Sequence, residues 1–216
     1  MSGTRQRILD VARALFNEHG LNRVGVRDVA RAANMSPGNL AYHFATKDEL
    51  VAALLEELHE LNRRTVFTEP LEEFSLIVLY KMALGAMRNM LAFRFVLLSY
   101  VDAVQASPRL VQLDAELARR RRQRHELMLA ALIRNGFVSR AARGRSAIIY
   151  EQSSMISSGW LAAAALRGWS DERAVRHFAK LGCALLAPFC TDKGKRQMRR
   201  IERGDCDVPP TTGRKG

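Results

Sequence analysis

Apolar residues recur three and four positions apart along nearly the whole of this sequence, and no stretch of any length alternates apolar with polar residues. A repeat near 3.6 paints a stripe on a helix, whereas a repeat of two would paint one face of a strand. The chain is therefore restricted to an all-α fold. Over 4–19, Ile8, Ala12, Leu15 and Phe16 share a face, and Gly20 supplies a stop. Val26, Val29, Ala30 and Ala33 mark a second short helix, and Leu40 and Phe44, one turn apart, a third. Leu50, Leu54, Leu58 and Leu61 stripe a longer fourth. Ile77, Tyr80, Leu84, Met87 and Leu91 mark the next, and further helices are predicted over 93–105, from Ser107-Pro108 to Asn135-Gly136, over 139–167, and from Ser170 to near Pro188.

Local signals fix where these helices start. Ser36 is a good N-cap, with Pro37 at the first helical position, where its missing N–H costs nothing. Thr46 and Glu49 have capping-box spacing. Ser107-Pro108 repeats the serine-proline start. Ser170, followed by Asp171 and Glu172, places a cap and two acids at a positive dipole end. Beyond Thr191 the chain is polar and basic, with Pro209-Pro210 and Gly213, and 191–216 is expected to be a mostly disordered basic tail.

Composition narrows the class. In 216 residues, 34 basic side chains face 22 acidic ones, a formal net charge of +12 that points to a polyanionic partner. A hydrophobic content of 48% is enough for a packed core. The opening residues read as a helix with no signal peptide expected, and the most apolar stretch, 146–166, carries Glu151 and Gln152 and reads as a buried helix, so no membrane partner is expected. Cys183, Cys190 and Cys206 are an odd, late cluster that fits a reducing, cytoplasmic setting. The five histidines are dispersed, so neither a metal nor another cofactor is expected. No phosphate-binding glycine loop or catalytic cluster stands out, which argues against an enzyme.

One segment carries chemistry. Ala30 to Ser36 ends one helix and starts the next within a few residues, as a helix-turn-helix requires. Asn34 tolerates the left-handed conformation, Met35 can plug the small core, and Ser36 caps. Asn39, Tyr42 and His43 lie opposite Leu40 and Phe44 on the third helix, where amide, phenol and imidazole groups could meet base edges or phosphates in a major groove. Gly38 lets backbone approach a phosphate, and Lys47 adds charge near a helix start.

The run 4–50 resembles the DNA-binding domain of the TetR family of transcriptional regulators. The resemblance rests on Ile8-Leu9, Ala12, Leu15-Phe16, Gly20, Arg27-Asp28-Val29-Ala30, Ala33, Ser36, Gly38, Leu40, Tyr42-His43-Phe44 and Lys47-Asp48-Glu49-Leu50. Three positions depart from the family pattern: Gly25 replaces a hydroxyl cap, Asn34 a turn glycine, and Ala41 an aromatic. The resemblance implies a DNA-binding domain at 1–50 (motif about 25–44), with Gly25, Arg27, Ser36, Pro37, Gly38, Asn39, Tyr42, His43 and Lys47 at the double-stranded DNA operator. It implies a larger helical ligand-binding and dimerisation domain at 51–190, and a homodimer built through the last two long helices. Ser154, Ser158, Leu161, Ala165, Leu181 and Leu185 are the interface candidates. For a small-molecule effector pocket the candidates are Tyr80, Leu84, Met87, Phe95, Leu98, Tyr100, His125, Met128, Tyr150 and Trp160. Asp102 and Glu151, in apolar helices, could bind a cationic ligand, though such an acid is more often partnered and buried or lies on an exposed edge.

The function expected is a homodimeric repressor released from a palindromic operator by a small molecule. The alternatives are an activator or ligand-independent regulator of the same family, or a non-specific architectural DNA-binding protein. The run Arg119 to Arg122 reads as a solvated face paired with acids such as Asp114, Glu116 and Glu126. Residues 1–50 hold 7 basic and 5 acidic side chains, 51–190 hold 19 and 13, and 191–216 hold 8 and 4, so the motif's case rests on geometry rather than on charge.

Overall fold

The computed structural model describes residues 3–66, 68–98, 101, 104–105 and 107–206. Ten helices can be named among them: α1 (Gly3–His19), α2 (Val26–Ala32), α3 (Pro37–His43), α4 (Lys47–Thr65), α5 (Leu76–Leu91), α6 (Arg94–Leu98), α7 (Pro108–Arg134), α8 (Ser146–Leu166), α9 (Asp171–Ala184) and α10 (Asp192–Arg203). Short 3-10 turns lie at Leu21–Arg23, Arg140–Arg145 and Ala187–Phe189. The described residues contain no strand, only an isolated antiparallel bridge between Val138 and Cys190. No helix among them is long and apolar enough to cross a membrane.

The apolar stripes close two cores. The first joins α1 to α4 through Ile8, Phe16, Leu40, Leu50 and Leu54, and extends to Phe93, Phe95, Leu110 and Leu117. The second gathers α5, the later part of α7, α8, α9 and α10 around Tyr80, Leu132, Trp160 and Phe178. α7 belongs to both cores, and α4 leads from the first to the second. α4 gives Leu50 to Leu58 to the first and is followed by Val66 in the second; α7 gives Leu110 and Leu117 to the first and Leu129 to Leu132 to the second.

Most predicted starts and stops are in place. Ser36, Thr46 and Ser107 each accept a hydrogen bond from the backbone N–H three residues on. Gly136 and Gly168 end their helices with φ of 75° and 61°, a left-handed conformation that glycine adopts without steric cost. Ser170 differs: its hydroxyl makes no cap bond. Instead the first-turn acids tie α9 to other elements, Asp171 to Arg94 at 2.9 Å and Glu172 to Arg88 at 2.8 Å. The helix predicted over 139–167 begins later, because 140–145 wind as a 3-10 turn and α8 starts at Ser146. Of the helix expected over 93–105, the structure describes α6, while much of the remainder lies outside the described residues.

The largest correction concerns the chain after Thr191. The segment 192–203, expected as disordered tail, is a packed helix. Its inward stripe is only Gly194, Met198 and Ile201, easily hidden among six basic residues, yet burying the two large side chains contributes about 1.5–3 kcal/mol each. Thr191 caps it, accepting from the Gly194 N–H at 3.2 Å while donating to the Gly136 carbonyl at 2.7 Å. Gly194 lies so close to α7's exit that a Cβ there would sit 2.1 Å from the Phe137 carbonyl oxygen. The Gln197 side chain accepts from the Ile77 N–H at 3.2 Å, completing the first turn of α5. The rest of that expected tail, 207–216, lies outside the described residues.

Candidate nucleic-acid interface

The turn between α2 and α3 is closed by backbone bonds from Asn34 N–H to the Arg31 carbonyl (3.1 Å) and from Met35 N–H to the Ala30 carbonyl (3.0 Å). This fold-back needs Asn34 at φ 54°, in the left-handed region the sequence anticipates. The Ser36 hydroxyl then accepts from the Asn39 N–H at 3.2 Å and sets the axis of α3. Leu40 and Phe44 bury the inner side of α3, at 0% and 2% exposure, and the Arg5 guanidinium lies 4.8 Å from the centre of the Phe44 ring.

What is left outside is the candidate reading surface. Pro37, Gly38, Asn39 and Ala41 are exposed, and Tyr42 is 86% exposed. His43 is half-buried, with its ring edge-on to Tyr42 at 5.3 Å. A large aromatic left in water on a firmly mounted helix has no folding role, and its hydroxyl can donate to or accept from a base edge or phosphate. On α2, Arg27 and Arg31 are exposed one turn apart. Gly25 caps α2 without a side chain of its own: its N–H donates to the Asp28 carboxylate at 2.9 Å.

The mount of α3 is fixed from behind. Thr46 accepts from the Glu49 N–H at 3.2 Å, but Glu49 returns the bond to the Ala45 N–H at 2.9 Å, one residue earlier than a capping box would place it. Glu49 also meets Arg109 at 3.1 Å, and the Ser107 hydroxyl donates to Asp48 at 2.5 Å. The first turn of α4 is thereby latched to the first turn of α7, a link no local sequence signal reveals. Lys47 turns inward, its ammonium donating to the Leu21 carbonyl, and burial pushes its pKa below the ordinary lysine value despite the Asp48 charge.

A cavity of about 440 Å³ opens beside the second core, against Leu71, Phe74, Met82 and Met128. His59 of α4, Met82 of α5, and Glu69, Leu71 and Phe74 from the connection between those helices form one side. Arg120, Gln123, Arg124, Leu127 and Met128 of α7 form the other. Of the described sequence-derived pocket candidates, Met128 alone lines it. Tyr80, Leu84, Met87 and Trp160 are buried in the second core and Phe95 in the first, filling volume rather than bounding it. Leu98 is exposed, and Tyr100 and Asp102 lie outside the described residues. His125 and Tyr150 instead stitch α7 to α8, their rings 5.5 Å apart and the Tyr150 hydroxyl donating to the Ala118 carbonyl at 3.3 Å. Burial pushes the His125 pKa below its ordinary value. The actual lining joins residues from three helices and a connection, and periodicity within one helix cannot find such a set.

The arginine run is largely paired, as expected. Arg119 and Arg120 share Glu116, Arg121 lies 3.8 Å from Asp114, and Arg122 reaches across to Glu151 at 2.7 Å, in place of the expected Glu126. Glu151 is thus an exposed ion-pair partner, the edge reading rather than the ligand-binding one. On α8, Ser158 and Ala165 are exposed and Ser154 partly so, together with Ile148, Met155, Ala162 and Leu166. Leu161 belongs to the second core and offers no surface, because it points inward beside Trp160 and Ala164. On α9, Leu181 is exposed and Leu185, just beyond its end, packs partly against the core.

Comparison with known proteins gives two family matches. Residues 8–54 match the model for bacterial regulatory proteins of the tetR family, and residues 52–198 match that for bacterial transcriptional repressors. UidR, an HTH-type transcriptional regulator of Escherichia coli strain K12, is 36% identical over 70 residues, which are 32% of this chain and 35% of UidR. KstR2, an HTH-type transcriptional repressor of Rhodococcus jostii strain RHA1, is 44% identical over 54 residues, 25% of this chain and 26% of KstR2. The match thus spans about a third or less of these relatives' lengths. A TetR-family transcriptional regulator from Marinobacter aquaeolei VT8 superposes with a TM-score of 0.80 at 19% identity, covering 94% of this chain and 98% of that one. SmeT in complex with triclosan, from Stenotrophomonas maltophilia, gives 0.67 at 19% identity, with 97% of each chain covered. At such identities these likenesses speak for the fold.

Proposed function

The chain belongs to the TetR family of bacterial transcriptional regulators, and from that premise we propose that it is a homodimeric repressor which leaves a near-palindromic operator when a small molecule enters the cavity between α4 and α7. The observation that carries this reading is the outer face of α3, where Asn39 and an 86%-exposed Tyr42 stand on a helix capped at Ser36 and anchored by Leu40 and Phe44. Such a helix can enter a major groove, and a two-fold dimer presents two of them about one DNA turn apart. The exposed apolar and small residues of α8, with Leu181 of α9, support a helix-to-helix interface between two copies.

Release requires a ligand that binds the non-DNA-binding geometry more tightly than the DNA-binding one. α4 supports this reading, since it carries the capped mount of α3 at its first turn and His59 in the cavity wall. α7 is latched to that same first turn and forms the opposite wall. A ligand that changes the α4–α7 spacing therefore acts on both supports of the reading head. Coupling of about 1–3 kcal/mol is typical of such arrangements. The test is selection of bound duplexes from a random pool at about 150 mM salt. Enrichment of one near-palindromic sequence is expected; equal retention of all duplexes would refute the reading.

A further inference from the structure

We propose that the outer face of α10 is a second DNA-binding surface, one that grips the phosphate backbone of a duplex without reading its sequence and holds it apart from the duplex read by α3. This goes beyond the operator reading above, which uses α3 alone.

The face is built by spacing. Arg196, Arg199, Arg200 and Arg203 stand at i, i+3, i+4 and i+7 of α10, which places them on one side of the helix, and all four are exposed. Gly194, Met198 and Ile201 occupy the opposite side and are buried. Among the described residues, none of the four arginines makes an ion pair, a side-chain hydrogen bond or a ring contact. Their basic neighbours are committed: Lys195 lies 3.5 Å from Asp192, and Lys193 donates to the Asn135 carbonyl at 3.0 Å and sits over the Phe137 ring. No acid neutralises the stripe from beneath, because α5, on which α10 packs, carries none. Glu202 and Asp205, both exposed, make no ion pair with it. Arginine pairs elsewhere are different: Arg119 and Arg120 share Glu116, and Arg63 and Arg64 share Glu60.

Folding does not account for the stripe. Like charges one turn apart weaken a helix rather than support it. The helix dipole favours Arg200 and Arg203 in the last turn but gives nothing to Arg196 and Arg199. The mount is nonetheless firm: Thr191 caps its start, Gly194 packs against the Phe137 carbonyl, and Gln197 accepts from the Ile77 N–H. Chemistry then selects the partner. An arginine fork matches a phosphate, and the stripe runs about 10 Å along the helix axis, a length over which one strand of a duplex carries roughly three phosphates. Met198 and Ile201 are buried in the core, so no apolar side is left to enter a membrane. The stripe holds no aromatic on which unpaired bases could stack, and no apolar anchor of the kind a protein partner buries. The surface also stands apart from the reading head. Met198 and Ile201 belong to the second core and Leu40 of α3 to the first, and α10 meets the start of α5 whereas Asn17 of α1 meets its far end at Ala92.

Bead capture tests this with the full chain and two duplexes of unrelated arbitrary sequence, each of roughly 30 base pairs, one tethered and one fluorescently labelled, at about 100 mM salt. The tethered duplex loaded with protein is expected to capture the labelled one. That capture should fall with salt on a log–log slope of about 3–4, as four phosphate contacts require. Arg196→Gln, Arg199→Gln, Arg200→Gln and Arg203→Gln together should cut capture at least tenfold while loading on the tethered duplex changes less than threefold and the helical circular dichroism is kept. If that variant does not fold, Arg199→Gln with Arg203→Gln should cut capture at least threefold. Undiminished capture in the folded variant, or no capture by the unaltered chain, would overturn the proposal. Equal capture of a labelled single strand, or stronger capture of phosphatidylglycerol vesicles, would overturn the assignment to duplex backbone. Capture kept in a chain that selects no operator refutes the operator reading alone; capture absent in a chain that does select one refutes the second surface alone.

Discussion

The two cores of this molecule are built differently. The first sets two seven-residue helices, α2 and α3, between the longer α1 and α4, and the ends of α2, α3 and α4 are set locally by Gly25, Asn34, Ser36 and Thr46. The second is assembled from helices that meet far apart in sequence, with Tyr80, Trp160 and Phe178 buried together. In the first, local chemistry dictates geometry and leaves Tyr42 outside; in the second, packing dictates it. Charge divides the same way. α10 holds six basic residues against two acids and packs on the first turn of α5 through Gln197, whereas the far end of α5 meets α1 through Asn17 and the Ala92 carbonyl. The charge of α10 thus sits a full length of α5 away from α1, and the proposed DNA-facing residues of α3 rely on shape and hydrogen bonding rather than on that charge.

The comparison breaks first at the cores themselves. Phe16→Ala in the first and Trp160→Ala in the second should each cost about 3–5 kcal/mol. Because α7 runs through both and α4 leads from one into the other, each variant should lower one common melting transition followed by circular dichroism. Two separated transitions would mean independent cores. On the DNA side, Tyr42→Ala with His43→Ala should weaken operator binding tenfold or more, measured by fluorescence anisotropy, while stability stays within about 0.5 kcal/mol. Unchanged affinity would remove these residues from the interface.

Smaller effects sharpen the contrast. Gly194→Ala forces a Cβ against the Phe137 carbonyl and should cost about 1–3 kcal/mol, with DNA affinity kept. Ser36→Ala should cost about 1 kcal/mol, whereas Ser170→Ala, whose hydroxyl makes no cap bond, should cost less than half of that; chemical denaturation reads both. Smallest is a thiol effect. Burial pushes the Cys183 thiol up to about 12, so at pH 8 it remains protonated, and mass spectrometry should find Cys190 alkylated first.

Much of the first core is legible in sequence because caps and turns act within four residues: Asn34, Ser36 and Thr46 each do what their chemistry dictates. Legibility ends where partners are remote. The Ser107–Asp48 latch joins residues 59 positions apart, and the cavity lining joins His59 to Arg124 across a bend no periodicity encodes. Tyr80 and Trp160 look like pocket residues because large aromatics serve both roles, and only three-dimensional packing separates them. α10 escapes notice because three buried residues in twelve are a weak stripe beneath a strong charge signal.

The central claim is that the outer face of α3 reads DNA. Its most direct test is the affinity of purified protein for its selected duplex against a scrambled duplex of equal length, with and without Tyr42→Ala and His43→Ala, at about 150 mM salt. A preference of a thousandfold or more that falls at least tenfold in the double variant is expected. Equal affinity for both duplexes, or a preference indifferent to Tyr42 and His43, would contradict it.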